Sequence, residues 1–170
     1  EVNRAQMNLL DGHDVPRALH TLKGDVAALK LSLLMLFLQP GAPCIYYGTE
    51  AGLAGGPDDD RSSGPEPACR EAFPWEQPWR ADLCSYVSRL KAFRDRWLNL
   101  GQPLISWSAV GSDGLMASTE TWTMWINRSR HIDLRCSNPG SDDQVVCGSF
   151  INGSLRPQSA VICFTPSAKE

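Results

Sequence analysis

The chain has 170 residues, carries 16 Lys and Arg against 19 Asp and Glu for a net charge of −3, and is 42% hydrophobic. That is ordinary globular composition, enough for one modest domain or parts of two. No basic block or stripe is present, which argues against nucleic acid as a partner, and the longest apolar run, 31–38, is too short to cross a bilayer.

Gln6 to Leu10 reads as an apolar strand that runs out into a polar tip, Asp11-Gly12-His13-Asp14-Val15-Pro16-Arg17. Asp25 to Leu38 reads as a helix, with Asp25 at its start and Pro40-Gly41 as its stop; it is apolar nearly all round, as a well-buried helix is. Cys44 to Tyr47, bounded by Pro43 and Gly48, reads as a short buried strand. Residues 48–81 form a long loop rich in Gly, Pro and Asp, of a length that in compact domains is usually functional or disordered. Asp82 opens an amphipathic helix in which Leu83, Tyr86, Val87, Leu90, Phe93 and Trp97 recur at three-to-four spacing, and Gly101-Gln102-Pro103 ends it.

From Leu104 the pattern changes to short strand-like runs separated by turn signals: Leu104–Trp107, Leu115–Ser118, Trp122–Asn127, Ile132–Cys136, Val145–Cys147 and Ala160–Phe164. Asn152-Gly153, between Phe150-Ile151 and Ser154-Leu155, is a tight hairpin signal. Such spacing predicts a small antiparallel sandwich. Strand–helix–strand–helix followed by an all-β tail describes the end of a larger α/β domain, since two such units cannot close an eight-stranded barrel. The predicted division is 1–101 and 102–170.

Clustered charge at the C-terminal end of a strand is where α/β proteins place their chemistry. His13, Asp14 and Arg17 form such a cluster. On spacing alone a capping Asp and an ordinary loop His are the favoured reading. The six cysteines form no C-x-x-C pair, and His20 and His131 lack metal-ligand spacing, so no metal or cofactor is expected. Cys44 and Cys84 read as buried thiols, while Cys136, Cys147 and Cys163 leave room for one bridge. Asn127-Arg128-Ser129 and Asn152-Gly153-Ser154 match glycosylation sequons, a pattern that arises often by chance.

Three stretches resemble the α-amylase family, glycoside hydrolase family 13, and within it the neopullulanase, cyclomaltodextrinase and maltogenic amylase group. Leu9-Leu10-Asp11-Gly12-His13-Asp14-Val15-Pro16-Arg17 resembles the segment ending barrel strand seven. The run from Gly41 through Tyr46-Tyr47-Gly48-Thr49-Glu50 to Leu53 resembles strand eight and its loop, and Pro67-Ala68-Cys69-Arg70 with Phe73-Pro74-Trp75 resembles the loop that follows. The resemblance implies an α/β fold: the last two β/α units of a (β/α)8 barrel, then an antiparallel β-sandwich. It implies a retaining hydrolase of α-1,4 bonds, with α-1,6 bonds as an extension, in cyclodextrins, pullulan or maltooligosaccharides.

By the matching motif, Asp14 is the carboxylate that stabilises the transition state and His13 a ligand of the same glucose. Arg17, Glu66, Arg70 and Tyr47 are further substrate-binding candidates. Arg17 is also read as a loop-ordering residue paired with a carboxylate, Glu66 and Arg70 as an ordinary ion pair, and Tyr47 as a packed strand-end ring. Glu66 stands where the group usually has Asp, and 58–64 looks inserted. The nucleophile and acid/base of the family match nothing in this chain, so the 170 residues alone are expected to be inactive. The resemblance implies an α-glucan oligosaccharide as partner and allows a homodimer of the intact enzyme; cytoplasmic placement is favoured over secretion. Two other readings stay open: a catalytically inactive sugar-binding relative, and a transglycosidase or a trehalose- or sucrose-type isomerase on the same fold.

Overall fold

The structure is a computed structural model and describes residues 5–55, 68–76, 79–101, 103–136 and 144–164. The chain divides into two compact units, Glu1–Asp95 and Arg96–Glu170.

In the first unit β1 (Met7–Leu9) pairs in parallel with β2 (Ala42–Cys44), Leu9 lying opposite Cys44. Between them run the single turn α1 (Ala18–Thr21) and the longer α2 (Val26–Leu38). Asp25 caps α2, its carboxylate accepting the Ala28 N–H at 3.0 Å, which satisfies one of the helix's orphan donors. Leu29, Leu33, Leu34 and Leu38 are almost wholly buried. Burial on several sides is what an all-round apolar sequence requires.

The strand expected over Cys44–Tyr47 instead occupies Ala42–Cys44, and the chain turns at Tyr47–Thr49. The apolar run is real, but the ladder to β1 ends at Leu9, and among the described residues the backbone beyond Cys44 has no strand to pair with. Gly48 makes the turn at φ +85°, and a Cβ there would lie 2.2 Å from Leu53 Cδ1. Both facts favour glycine.

A 3-10 turn at Ala68–Arg70 precedes α3 (Ala81–Asn99). Its apolar stripe buries Leu83, Tyr86 and Leu90, while the Tyr86 hydroxyl donates to Lys30 O at 2.9 Å. Lys30 Nζ lies 2.8 Å from Asp82 Oδ2, and that hydrogen bond, with the charges of Lys30 and Arg80, holds the Asp82 carboxyl below its ordinary range. Arg94, nearly buried, donates from Nη1 to Phe37 O and Gln39 O, both at 2.6 Å, and from Nη2 to Gly41 O. One guanidinium thus serves carbonyls that the end of α2 and the turn after it would leave unpaired.

The second unit holds two antiparallel sheets. The five-stranded one runs β3 (Ser106–Val110), β4 (Gly114–Ser118), β5 (Trp122–Asn127), β10 (Ser159–Phe164), β7 (Gln144–Cys147). The three-stranded one runs β6 (Leu134–Arg135), β9 (Ser154–Leu155), β8 (Phe150–Ile151). Trp125, Cys136, Leu155 and Val161 form a core cluster against Val110, Met116, Leu134, Phe150 and Cys163. The Asn152-Gly153 turn has both residues at positive φ, as a two-residue hairpin demands.

Cys44, Cys69 and Cys84 are free thiols, and of the three cysteines in the second unit Cys136 and Cys147 are buried and Cys163 is partly buried. Asn127 is 1% exposed; its amide donates to Ile132 O, Leu155 O and Arg156 O and accepts from Ser129 N. That sequon is therefore closed to a glycan in the folded state. No helix among the described residues is long and apolar enough to cross a membrane.

Candidate active site

β1 delivers the chain to a tight reversal in which Gly12 and Val15 form an isolated bridge, leaving His13 and Asp14 at its apex. Both side chains are about two-thirds exposed, and His13 Nε2 lies 2.9 Å from Asp14 Oδ2. A neutral imidazole protonated at Nε2, or an imidazolium, donates in this geometry. Two polar groups that share one face and point into solvent can both reach a single ligand.

The reversal is held from below. Asp11, 3% exposed, accepts the Ala18 N–H at 3.0 Å on Oδ2 and the Thr49 hydroxyl at 2.9 and 2.8 Å on its two oxygens. It therefore caps α1 and ties the loop after β1 to the loop after β2. Sequence reasoning assigned Asp11 no role, because a cap seven residues upstream of the N–H it serves lies outside the usual capping pattern.

Arg17 is fully buried. Its Nη1 donates to Tyr47 O at 2.5 Å, and the guanidinium carbon sits 4.4 Å from the Tyr46 ring centre and 4.6 Å from that of Tyr47. In this conformation the side chain has no exposed surface. Its partners are a carbonyl and two rings rather than the carboxylate anticipated for a loop-ordering residue. Cation–π stacking in a desolvated position suits arginine, which is more weakly hydrated than lysine. Burial pushes the Tyr46 hydroxyl's pKa above its ordinary value, so it remains neutral.

Tyr47 is partly exposed, and its hydroxyl donates to Glu71 O at 2.7 Å, while Glu71 Oε1 accepts the Gly55 N–H. The segment after β2 is thereby folded back on itself. Arg70, at the end of the 3-10 turn, reaches the apex: Nε donates to His13 O at 3.0 Å and Nη2 to Asp14 Oδ1 at 3.2 Å. Cys69 Sγ donates to the same His13 carbonyl at 3.3 Å. His13, Asp14 and Arg70 are thus brought together, and Tyr47 belongs to the loop that carries Arg70. Glu66 lies outside the described residues. Among those residues, no group of three or more His, Cys, Asp or Glu side chains is placed to hold a metal ion.

The family model for the α-amylase catalytic domain matches residues 1–101. The chain belongs to the α-amylase family. A cyclomaltodextrinase of Geobacillus thermopakistaniensis is 35% identical over 136 residues, 76% of this chain and 22% of the relative. Neopullulanase 2 of Thermoactinomyces vulgaris is 30% identical over 141 residues, 82% of this chain and 22% of the relative. Among solved structures, a cyclic α-maltosyl-(1→6)-maltose hydrolase from Arthrobacter globiformis superposes with a TM-score of 0.69 at 27% identity, over 94% of this chain and 34% of that one. This α-amylase family chain is neopullulanase-, cyclomaltodextrinase- and maltogenic-amylase-like across most of its length, and it spans about a fifth of the length of these two curated relatives. Its fold, a parallel pair with helices followed by antiparallel sheets, is that of a partial barrel joined to a β domain, without closure of the barrel.

Proposed function

We propose that this chain is the last part of the catalytic barrel, strand seven through helix eight, and the following β domain of a retaining α-glucan hydrolase. The observation that carries the reading is the exposed His13–Asp14 pair at the C-terminal end of a parallel strand, within a motif matching the family's strand-seven segment. The substrates are α-1,4-linked glucans, with cyclodextrins, pullulan and maltooligosaccharides as the class, and α-1,6 bonds as an extension.

In this reading the nucleophile and acid/base lie on upstream strands, and the reaction passes through an oxocarbenium-like transition state. Asp14 accepts hydrogen bonds from two hydroxyls of the reacting glucose, and His13 donates to the same ring. Hydrogen bonds to a carboxylate are short and roughly twice as strong as neutral ones. Bonds that tighten as the ring flattens lower the barrier instead of merely increasing affinity. Arg17 and Asp11 contribute by holding the reversal from beneath, so that the two side chains meet the sugar without reorganisation.

The test is product analysis with the full-length protein on β-cyclodextrin, pullulan and maltoheptaose, beside the isolated 170 residues. Full-length protein releases maltose or panose with retained anomeric configuration, and the isolated chain releases no sugar. Sugar released by the isolated chain would contradict the reading, as would the absence of hydrolysis by full-length protein. Longer products in the presence of excess acceptor would replace hydrolysis by transfer.

A further inference from the structure

Trp75 is 77% exposed and Trp79 44%. Indole is a large apolar ring that folded proteins bury on average. A single apolar side chain at the surface needs no explanation, but a cluster marks a contact site. These two belong to one cluster. Their ring centres are 6.0 Å apart, and Phe73 adjoins both, 4.7 Å from Trp75 and 4.8 Å from Trp79.

The rings are held by bonds of their own. Trp79 Nε1 donates to Pro74 O at 3.2 Å, and the Trp75 N–H to Phe73 O at 3.0 Å. One residue beyond Trp79, the Arg80 N–H donates to Ala51 O at 3.5 Å and ties this stretch to the loop after β2. Phe73 stands edge-on to Trp79, with the ring planes at 89°, an arrangement that the ring quadrupoles favour. Rings fixed beforehand lose little freedom when a ligand settles on them.

Size and shape select the ligand. Two partly exposed indoles offer well under the roughly 1,000 Å² that a stable protein interface buries. A sugar ring fits them better, since its C–H face is apolar and its rim carries hydroxyls. Glu76 and Arg80, exposed and next to the two tryptophans in sequence, supply an acceptor and a donor for such hydroxyls. The indole planes are inclined by 58°. Both cannot lie flat against a ribbon-like β-linked chain, whereas an α-linked chain turns from one ring to the next.

We propose that Trp75 and Trp79 form a stacking platform for an α-glucan chain, a contact additional to the His13–Asp14 pair. The α-glucan class rests on the functional reading above; the platform rests on the rings. The two places share a loop, because Cys69, six residues before Trp75, donates to His13 O at 3.3 Å. A polymer that engages both gains from a high effective concentration, and a single glucose does not. The platform therefore acts on long substrates alone.

The experiment compares full-length wild type with Trp75→Ala, Trp75→Phe and Trp79→Ala. Each is run by affinity electrophoresis through gels containing amylopectin or a mixed-linkage β-glucan, assayed for turnover of α-glucosyl fluoride, and melted. Amylopectin retards wild type, and each Trp→Ala variant raises the apparent Kd about fivefold, the scale of one lost aromatic contact. Trp75→Phe keeps a stacking ring and most of the retardation. The β-glucan retards none of the four. Turnover of the fluoride, which fills only the reacting position, stays within about twofold of wild type.

Trp75→Ala retarded by amylopectin as strongly as wild type would overturn the proposal, and so would equal retardation of wild type by the β-glucan. A large fall in the thermal midpoint of Trp75→Ala with unchanged retardation would show that the rings pack against the upstream part of the barrel, which also overturns it. Retardation that depends on Trp75, in a wild type that hydrolyses no α-glucan, would support the platform and overturn the functional reading alone.

Discussion

Asp14→Asn in the full-length enzyme lowers turnover by about 100-fold or more, the scale observed when one preorganised electrostatic group is removed from an active site. Asparagine preserves size and one acceptor oxygen, but it loses the charge that makes the carboxylate's hydrogen bonds strong and replaces the second acceptor with a donor. The effect falls on kcat more than on KM if the bonds to the sugar tighten in the transition state. Asp14 is well exposed and belongs to no buried network, so its loss leaves the thermal midpoint nearly unchanged. Steady-state kinetics beside a melting curve separate the two effects. A wild-type rate in this variant, with an intact fold, would end the assignment of Asp14.

Arg94→Met has the opposite profile, with a large effect on stability. Methionine fills much of the arginine's volume but leaves the carbonyls of Phe37, Gln39 and Gly41 without the donor that serves them. Arg94 itself is 5% exposed, so water does not readily take its place. Losing charge-assisted hydrogen bonds and leaving buried acceptors unsatisfied costs about 4 kcal/mol in total. Arg94→Lys recovers only part of this, because one ammonium cannot span three carbonyls as a planar fork does. Burial pushes the guanidinium's pKa down, but from a value so high that it remains charged through the accessible pH range. A denaturant titration of wild type and both variants reads the loss directly. An unchanged midpoint for Arg94→Met would show that the end of α2 is satisfied without the arginine.

What the sequence disclosed and what it hid divide along the range of the interactions. α2 was legible because its signals are local: Asp25 supplies the cap, and an unbroken apolar run ends at Pro40-Gly41. β5 lies where alternation and turn signals placed it, over Trp122–Asn127, and the Asn152-Gly153 hairpin likewise. β3 starts at Ser106 and not at Leu104, and β2 ends at Cys44, because a strand's limits are set by its partner's ladder and not by its own hydrophobicity.

The same division holds at the site. His13 and Asp14 are adjacent in sequence, so one motif names both as candidates. Arg70 meets Asp14 across 56 residues and Thr49 meets Asp11 across 38. No local pattern announces such pairs. Arg17, expected to order the loop through a carboxylate, is instead enclosed by tyrosine rings and a carbonyl that lie about thirty residues away in sequence.

The central claim, that Asp14 and His13 grip one glucose ring, is tested most directly by a crystal structure of the full-length protein soaked with maltose. The account predicts both carboxylate oxygens of Asp14 and a ring nitrogen of His13 within hydrogen-bond distance of hydroxyls on the same sugar. A maltose bound in the catalytic cleft, with this pair turned away from it, would contradict the account.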